Sequence, residues 1–294
     1  MKLRFFWALA ALFSGALIGM YSFNSLVRNS VANTQQADTA YDRVMKTGVL
    51  RCGYILWPAM VNRDPNTGAM SGYMADAIEE IGRKYGFKIE WSQELFLGQQ
   101  VSELARGNID AVCGNEGTFN YSEGAFVDYS KPLGFYKVYV WVRKDDARFV
   151  SREPLNNAAV RFSGLDGDLS TLYVPDFFPR VQVMSLPQST DYSVVLQNVA
   201  DGKADAVIMD EYTVVLFERS NGHRLRRIDM TPLSSFSVNF SVHKGETKLL
   251  TMLNQGVDLL AQFGALKRLM DKYALQGTGM YVPDDGFLQE TNVK

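Results

Sequence analysis

Hydrophobic and polar positions along this chain change their period several times, and each change marks an element. The first stretch has no period. Residues 5–27 carry no charge and begin FFWALAALFSGALIGMYSF, with Lys2 and Arg4 before them and Arg28 after. A run of that length can cross a bilayer, and the positive residues ahead of it predict a cytoplasmic N-terminus with everything after it exported. A cleaved signal peptide is the alternative, with Ser30-Val31-Ala32 as a small-x-small site. The apolar run exceeds the ~7–15 residues of a signal core, which favours an uncleaved anchor in residues 1–23, crossing the inner membrane through residues 5–23. No cysteine lies near it to take a lipid. Residues 24–38 are polar and aperiodic, as a tether would be.

From residue 39 onward strand and helix signals alternate, the pattern of an α/β sheet. A strand over Val49–Tyr54 precedes a turn at Asp64-Pro65-Asn66-Thr67-Gly68. Met74, Ile78, Ile81 and Tyr85 recur at helical spacing up to Gly86. Phe87–Trp91 alternates as a strand, Val101 and Leu104 mark a short helix closed by Gly107, and Ile109–Cys113 reads as a buried strand. The unit then returns: LARGNIDAVC at 104–113 and VADGKADAVI at 199–208 share Ala, Gly, Asp, Ala and Val at one constant offset. Lys137–Arg143 and Phe236–His243 are strands flanking the second unit, and Leu249, Leu253, Val257 and Leu260 line one helix face. The chain is thus expected to leave a first lobe (39–137), build a second (138–235) and return (236–294), with the two crossing strands as a hinge. Open α/β sheets place ligands at the carboxyl ends of their strands, here Gly114–Glu123 and Met209–Tyr212.

Composition narrows the function. In 294 residues 47% are hydrophobic and 21% charged, so there is a core to bury. Thirty Lys and Arg against 32 Asp and Glu leave a net charge of -2, with no basic field for nucleic acid. Two histidines, His223 and His243, and two cysteines give no metal-binding cluster, and no cofactor is expected. No G-x-S-x-G, H-E-x-x-H or P-loop occurs.

The order of Gly48-Val49-Leu50-Arg51-Cys52-Gly53-Tyr54, Trp57-Pro58, Gly72-Tyr73-Met74-Ala75-Asp76-Ala77, the Leu-x-x-Gly-x-x-Asp-Ala unit and Asp128-Tyr129-Ser130-Lys131-Pro132 resembles family 3 extracellular solute-binding proteins. His243-Lys244-Gly245 and Asp271-Lys272-Tyr273 extend the resemblance over most of residues 41–274. It implies a type II periplasmic-binding-protein fold, two lobes closing on a small solute, usually in the periplasm and for an ABC permease. Amino-acid binders of that family carry an Arg just before the Asp-Phe-Ser-type segment to clamp the ligand carboxylate. Residues 111–130 contain no Lys or Arg, and Ser122 or Glu123 stands in that place. The aspartate that receives a ligand ammonium has its counterpart in Asp210, and the family's helix-opening segment is replaced by the acidic Gly164–Ser170.

A small polar, amine-bearing solute is therefore expected, with Arg161 the residue to suspect if a carboxylate clamp exists after all. Asp210, Glu116, Glu123 and Asp168 are candidate cation contacts, though each also suits a cap or a solvated loop. Trp57, Tyr54 and Phe96 are candidate stacking walls, Trp57 because a Trp beside Pro58 is hard to bury completely. Asn115, Gly117, Thr118 and Ser170 complete the set as polar contacts. Cys52 and Cys113 end neighbouring strands, and either a disulfide or two buried thiols fits an exported protein. Asp110 and Asp205, each just before a buried strand, are expected to be structural. The competing functions are a membrane-anchored sensory or scaffold ectodomain of the same fold, and a periplasmic dehydratase-type lyase using Glu116, Glu123 or Asp168 as an acid.

Overall fold

The structure, a computed structural model, describes residues 39–116 and 123–283; the expected anchor and tether, and the candidates Gly117 and Thr118, lie outside the described residues. Among the described residues no helix is long and apolar enough to cross a membrane. The chain opens with helix α1 (Ala40–Thr47) and strand β1 (Val49–Tyr54), then a hairpin of β2 (Asn62–Arg63) and β3 (Met70–Ser71). Helix α2 (Tyr73–Tyr85) follows and ends, where the periodicity placed its end, at Gly86, which adopts the left-handed conformation. Next come β4 (Lys88–Glu94), α3 (Gln100–Ala105), β5 (Ala111–Glu116), β6 (Val127–Tyr129) and β7 (Gly134–Arg143). The second unit is β8 (Arg161–Leu165), α4 (Leu169–Phe177), β9 (Gln182–Leu186), α5 (Tyr192–Ala200), β10 (Ala206–Asp210), α6 (Glu211–Asn221) and β11 (Leu225–Arg227). Strand β12 (Ser234–His243), helices α7 (Thr247–Gln262) and α8 (Ala265–Lys272), and β13 (Met280–Tyr281) return the chain.

Apart from the β2-β3 hairpin, one mixed sheet carries these strands in the order β4-β1-β5-β12-β7-β10-β8-β9, with β6 on β12 and β11 and β13 on β7. Its two ends are parallel and built alike: β4-β1-β5 and β9-β8-β10 each place the first strand of the unit between the second and third. The repeated sequence unit is the reason. Its aspartate does the same work twice. Asp110 accepts a hydrogen bond from the Arg51 amide at 2.7 Å and Asp205 from the Arg161 amide at 2.9 Å, while each aspartate amide donates back to the same arginine's carbonyl at 2.8 Å. Arg43 and Arg51 pair with Asp110, and Arg148 with Asp205, so the two buried carboxylates are compensated.

The long strands β7 and β12 join the halves. They pair antiparallel through Ser234–Val238 and Gly134–Val138, after which β7 continues along β10 and β12 along β5. One buried cluster runs beneath both halves, from Leu50 and Ile78 through Tyr136 and Phe240 to Phe162, with a smaller cluster behind each end of the sheet. Gly72, at φ +127°, lets the backbone pass the Met60 carbonyl where any Cβ would collide.

Cys52 and Cys113 form a disulfide with Cα atoms 5.5 Å apart, both side chains fully buried. It staples β1 to β5, whose register sets Cys52 opposite Ala111. Loop-closure entropy across 61 residues of separation puts its contribution at roughly 4 kcal/mol in the chain-entropy model. Urea unfolding of the oxidised and reduced chain is expected to differ by about 2–4 kcal/mol, and equal midpoints would show that the staple constrains nothing.

Candidate functional site

The strands of both parallel ends point their carboxyl termini toward a shared region, and a cavity of about 330 Å³ opens there. The first half supplies the segment after β1, from Ile55 to Arg63, and Glu94–Leu97 at the end of β4; the second supplies Leu165 and the Gln188–Tyr192 loop before α5. Gln188 Nε2 donates to the Leu97 carbonyl at 3.0 Å, linking the two walls. Glu94 and Asp191 are the carboxylates lining the cavity, and Arg63 is the single Lys or Arg among the described residues that line it. The Arg63 Nη1 and Glu94 Oε2 atoms are 3.9 Å apart, and both side chains are well exposed. Asp191 caps α5, accepting from the Ser193 amide at 2.7 Å. A second cavity of about 310 Å³ lies on the other side of Arg63, between Tyr54, Met70, Glu79 and Trp91.

The candidates divide sharply. Phe96, 39% exposed, is a wall of the main cavity. Trp57 also lines it, but it is buried to 5%, because Tyr136 of β7 and Tyr212 of α6 close over it with ring centroids at 5.5 and 5.3 Å. The expectation that Trp57 would resist burial is corrected by that aromatic cluster, which spans the two halves. Tyr54 faces the second cavity, edge-on to Trp91 at 5.6 Å. Burial pushes its phenol up, with Arg63 pulling the other way.

Among the acidic candidates, the described carboxylates are committed to structure. Both oxygens of buried Glu123 accept from Gln100 Nε2, at 2.9 and 3.0 Å. Asp168 caps α4, accepting from the Thr171 amide at 3.0 Å and the Leu165 amide at 2.7 Å. Asp210 caps α6 through the Thr213 amide at 2.7 Å. Ser170 is fully buried and bridges the Ile208 amide and carbonyl of β10, which pins α4 to the sheet. Gly164 makes this possible: a Cβ there would stand 2.7 Å from the Ser170 Cβ and 2.9 Å from an Asp168 oxygen. Asn115 and Glu116 close β5, their backbones in register with Asn239 and Val238. Arg161 is corrected outright as a clamp. It is exposed at the start of β8, the end of the strand away from the cavity, with its main chain tied to Asp205.

Arg63, Glu94 and the Gln188–Asp191 loop were not singled out from the sequence. Arg63 stands between the Trp57-Pro58 segment and a turn, a position that pattern reading assigns to a solvated loop, and only the hairpin brings it to the cavity.

A model of bacterial extracellular solute-binding proteins, family 3, matches residues 50–276. The chain belongs to that family. It is a solute-binding protein, and the α/β sheet described above is the type II periplasmic-binding fold. Among its relatives, a probable amino-acid-binding protein, YxeM, of Bacillus subtilis is 23% identical over 210 residues, covering 70% of this chain and 76% of the relative. A probable histidine-binding protein of Campylobacter jejuni is 23% identical over 261 residues, covering 87% and 97% respectively. In fold it is similar to the crystal structure of a P235GK mutant of ArgBP from T. maritima, with a TM-score of 0.69, 23% identity and coverage of 81% of this chain and all of that one.

Desolvation raises the Asp210 carboxyl to about 7 and Asp168 to about 6. The unfolded chain releases these protons near pH 4, so between about pH 4 and 7 the folded form holds protons that the unfolded form has lost, and stability falls as pH rises. Asp210→Asn keeps a capping side chain and removes one titration. Its unfolding free energy, followed by urea titration from pH 4 to 8, is expected to fall less steeply than that of the wild type; an unchanged slope would refute the assignment.

Proposed function

We propose that this chain is an exported receptor for a small polar, amine-bearing solute of the amino-acid kind, delivered to an ABC permease for import. Two lobes, residues 39–137 with 236–294 and residues 138–235, close on the solute, and residues 5–23 hold the protein at the periplasmic face of the inner membrane. The observation that carries this reading is the charge of the main cavity: two carboxylates, Glu94 and Asp191, against one guanidinium, Arg63, beside the aromatic wall of Phe96. A lining with net negative charge favours a solute bearing at least one ammonium and disfavours a simple carboxylate. At about 330 Å³ the cavity has the size of small-molecule sites generally. The relatives' names, amino-acid-binding, histidine-binding and ArgBP, agree with that chemistry.

Catalysis is not part of the reading. Of the acids named for a dehydratase, Glu123 is held by Gln100 and Asp168 caps α4, and neither is among the residues lining the cavity, which favours binding over turnover.

Thermal unfolding of the purified chain tests the proposal, since a ligand that binds only the folded form raises Tm. At about 100 times Kd, at least one of L-arginine, L-lysine, L-histidine and putrescine is expected to raise Tm by about 5–10 °C, with succinate and acetate without effect. Stabilisation by succinate with none from any amine would defeat the charge argument.

A further inference from the structure

The two cavities share one residue. Arg63 lines both, and it lies across the ends of β1 and β4, where Tyr54 and Glu94 stand opposite each other in register. Its guanidinium is engaged on both flanks. It donates to the hydroxyl of Tyr54, a wall of the second cavity, and stands 3.9 Å from the carboxylate of Glu94, a wall of the main one. The partition is light: the Arg63 side chain is 51% exposed, and an ion pair that open to solvent adds little to stability. The space beyond it has a carboxylate of its own. Glu79 of α2 is half-buried, and its Oε1 accepts the Trp91 indole N–H at 3.0 Å. That bond orients the carboxyl group and leaves the other oxygen without a partner among the described residues. The donor is neutral, so the negative charge is uncompensated, and with the Trp91 and Tyr54 rings beside it the second cavity, about 310 Å³, suits a cationic group.

Resting on the amine-receptor reading, we propose that the second cavity is a distal cation subsite, and that the protein takes an extended solute with an ammonium group at each end, lodged in both cavities at once. One ammonium meets Glu94 and Asp191, and the other meets the open oxygen of Glu79 beside the Trp91 indole. Arg63 is then a partition that sets which lengths are accepted. A short amine leaves it in place across Tyr54 and Glu94. A longer one displaces it toward solvent, and the two cavities become one site. Selection for length follows, because only a chain that passes the partition gains the Glu79 contact in return for displacing Arg63.

Isothermal titration of the full-length protein with two matched series tests this: the α,ω-diamines from trimethylenediamine through putrescine and cadaverine to octamethylenediamine, and the monoalkylamines from propylamine to octylamine. The monoamines correct for the gain from each added methylene. Once the chain is long enough to reach Glu79, the diamine is expected to bind about 10- to 100-fold more tightly than its monoamine, the range of one charge-assisted hydrogen bond. Glu79→Gln keeps an acceptor for Trp91 and removes the charge, so its circular dichroism should match the wild type. It should abolish the advantage of the long diamines and leave propylamine and trimethylenediamine unchanged. Arg63→Gln should tighten the long diamines by a larger factor than the short ones, and equal factors would show that Arg63 is no partition. Equal loss of short and long amines in Glu79→Gln, or diamines of every length no tighter than their monoamines, overturns the distal subsite and leaves the amine receptor standing. Binding of none of these compounds also overturns the subsite, and the amine receptor falls with it only if L-arginine, L-lysine and L-histidine fail as well.

Discussion

Five residue pairs between β12 and β7, from Ser234 opposite Val138 to Val238 opposite Gly134, connect the two parallel ends of the sheet. Beyond them the strands part. Strand β7 runs on beside β10 and β12 beside β5, so each belongs to both halves, and any movement of one half against the other must be absorbed in or next to this short stretch. The same stretch holds Tyr136, fully buried, whose ring meets Trp57 from the first half and Tyr212 from the second. The constraint therefore serves two purposes: it fixes the directions in which both sets of parallel strands point, and it supplies the aromatic floor on which their loops meet.

Two kinds of aspartate follow from that geometry. Asp110 and Asp205 lie at the amino ends of their strands, where nearby arginines neutralise them. Asp168 and Asp210 lie at the carboxyl ends, capping helices that start where the cavity side begins, and there no guanidinium pairs with them among the described residues; backbone amides meet both, with the Thr171 hydroxyl also donating to Asp168. Helix N-termini favour negative charge, but full burial opposes it, and burial prevails in setting both carboxyl groups high. Asp191 also caps a helix, but it is exposed and lines the cavity, whereas Asp168 and Asp210 are buried and are not among its lining residues. This is why the exposed pair Glu94 and Arg63 carries more of the functional argument than the aspartate that the family resemblance brought forward.

Local patterns were read well wherever one element buries one face. Met74, Ile78 and Ile81 are fully buried on α2, Gly86 ends that helix, and the repeated unit at 104–113 and 199–208 became two sheet ends with the same strand order. What local patterns do not carry is the meeting of distant segments. Gln188 reaches the Leu97 carbonyl across 91 residues, and Arg63 gains its place from a two-residue hairpin too short for any period to register. Trp57 misled for a related reason. Its neighbour Pro58 and its loop position argued for exposure, while the rings that cover it come from β7 and α6.

The contacts between the halves fall into two classes, with different consequences for binding. Trp57 on Tyr212 and Gln188 on Leu97 form whenever the two walls come together, whatever lies between them, so their free energy enters the closing step for every solute alike. Such contacts raise affinity across the board and discriminate nothing. On the proposed reading, Glu94, Asp191 and Arg63 act on the difference between solutes, since a guest's charges either find partners among them or are closed in without one. An unpaired charge enclosed by closing walls costs more than an unmade apolar contact, so on that reading selectivity rests on the three ionised side chains more than on the rings beside them.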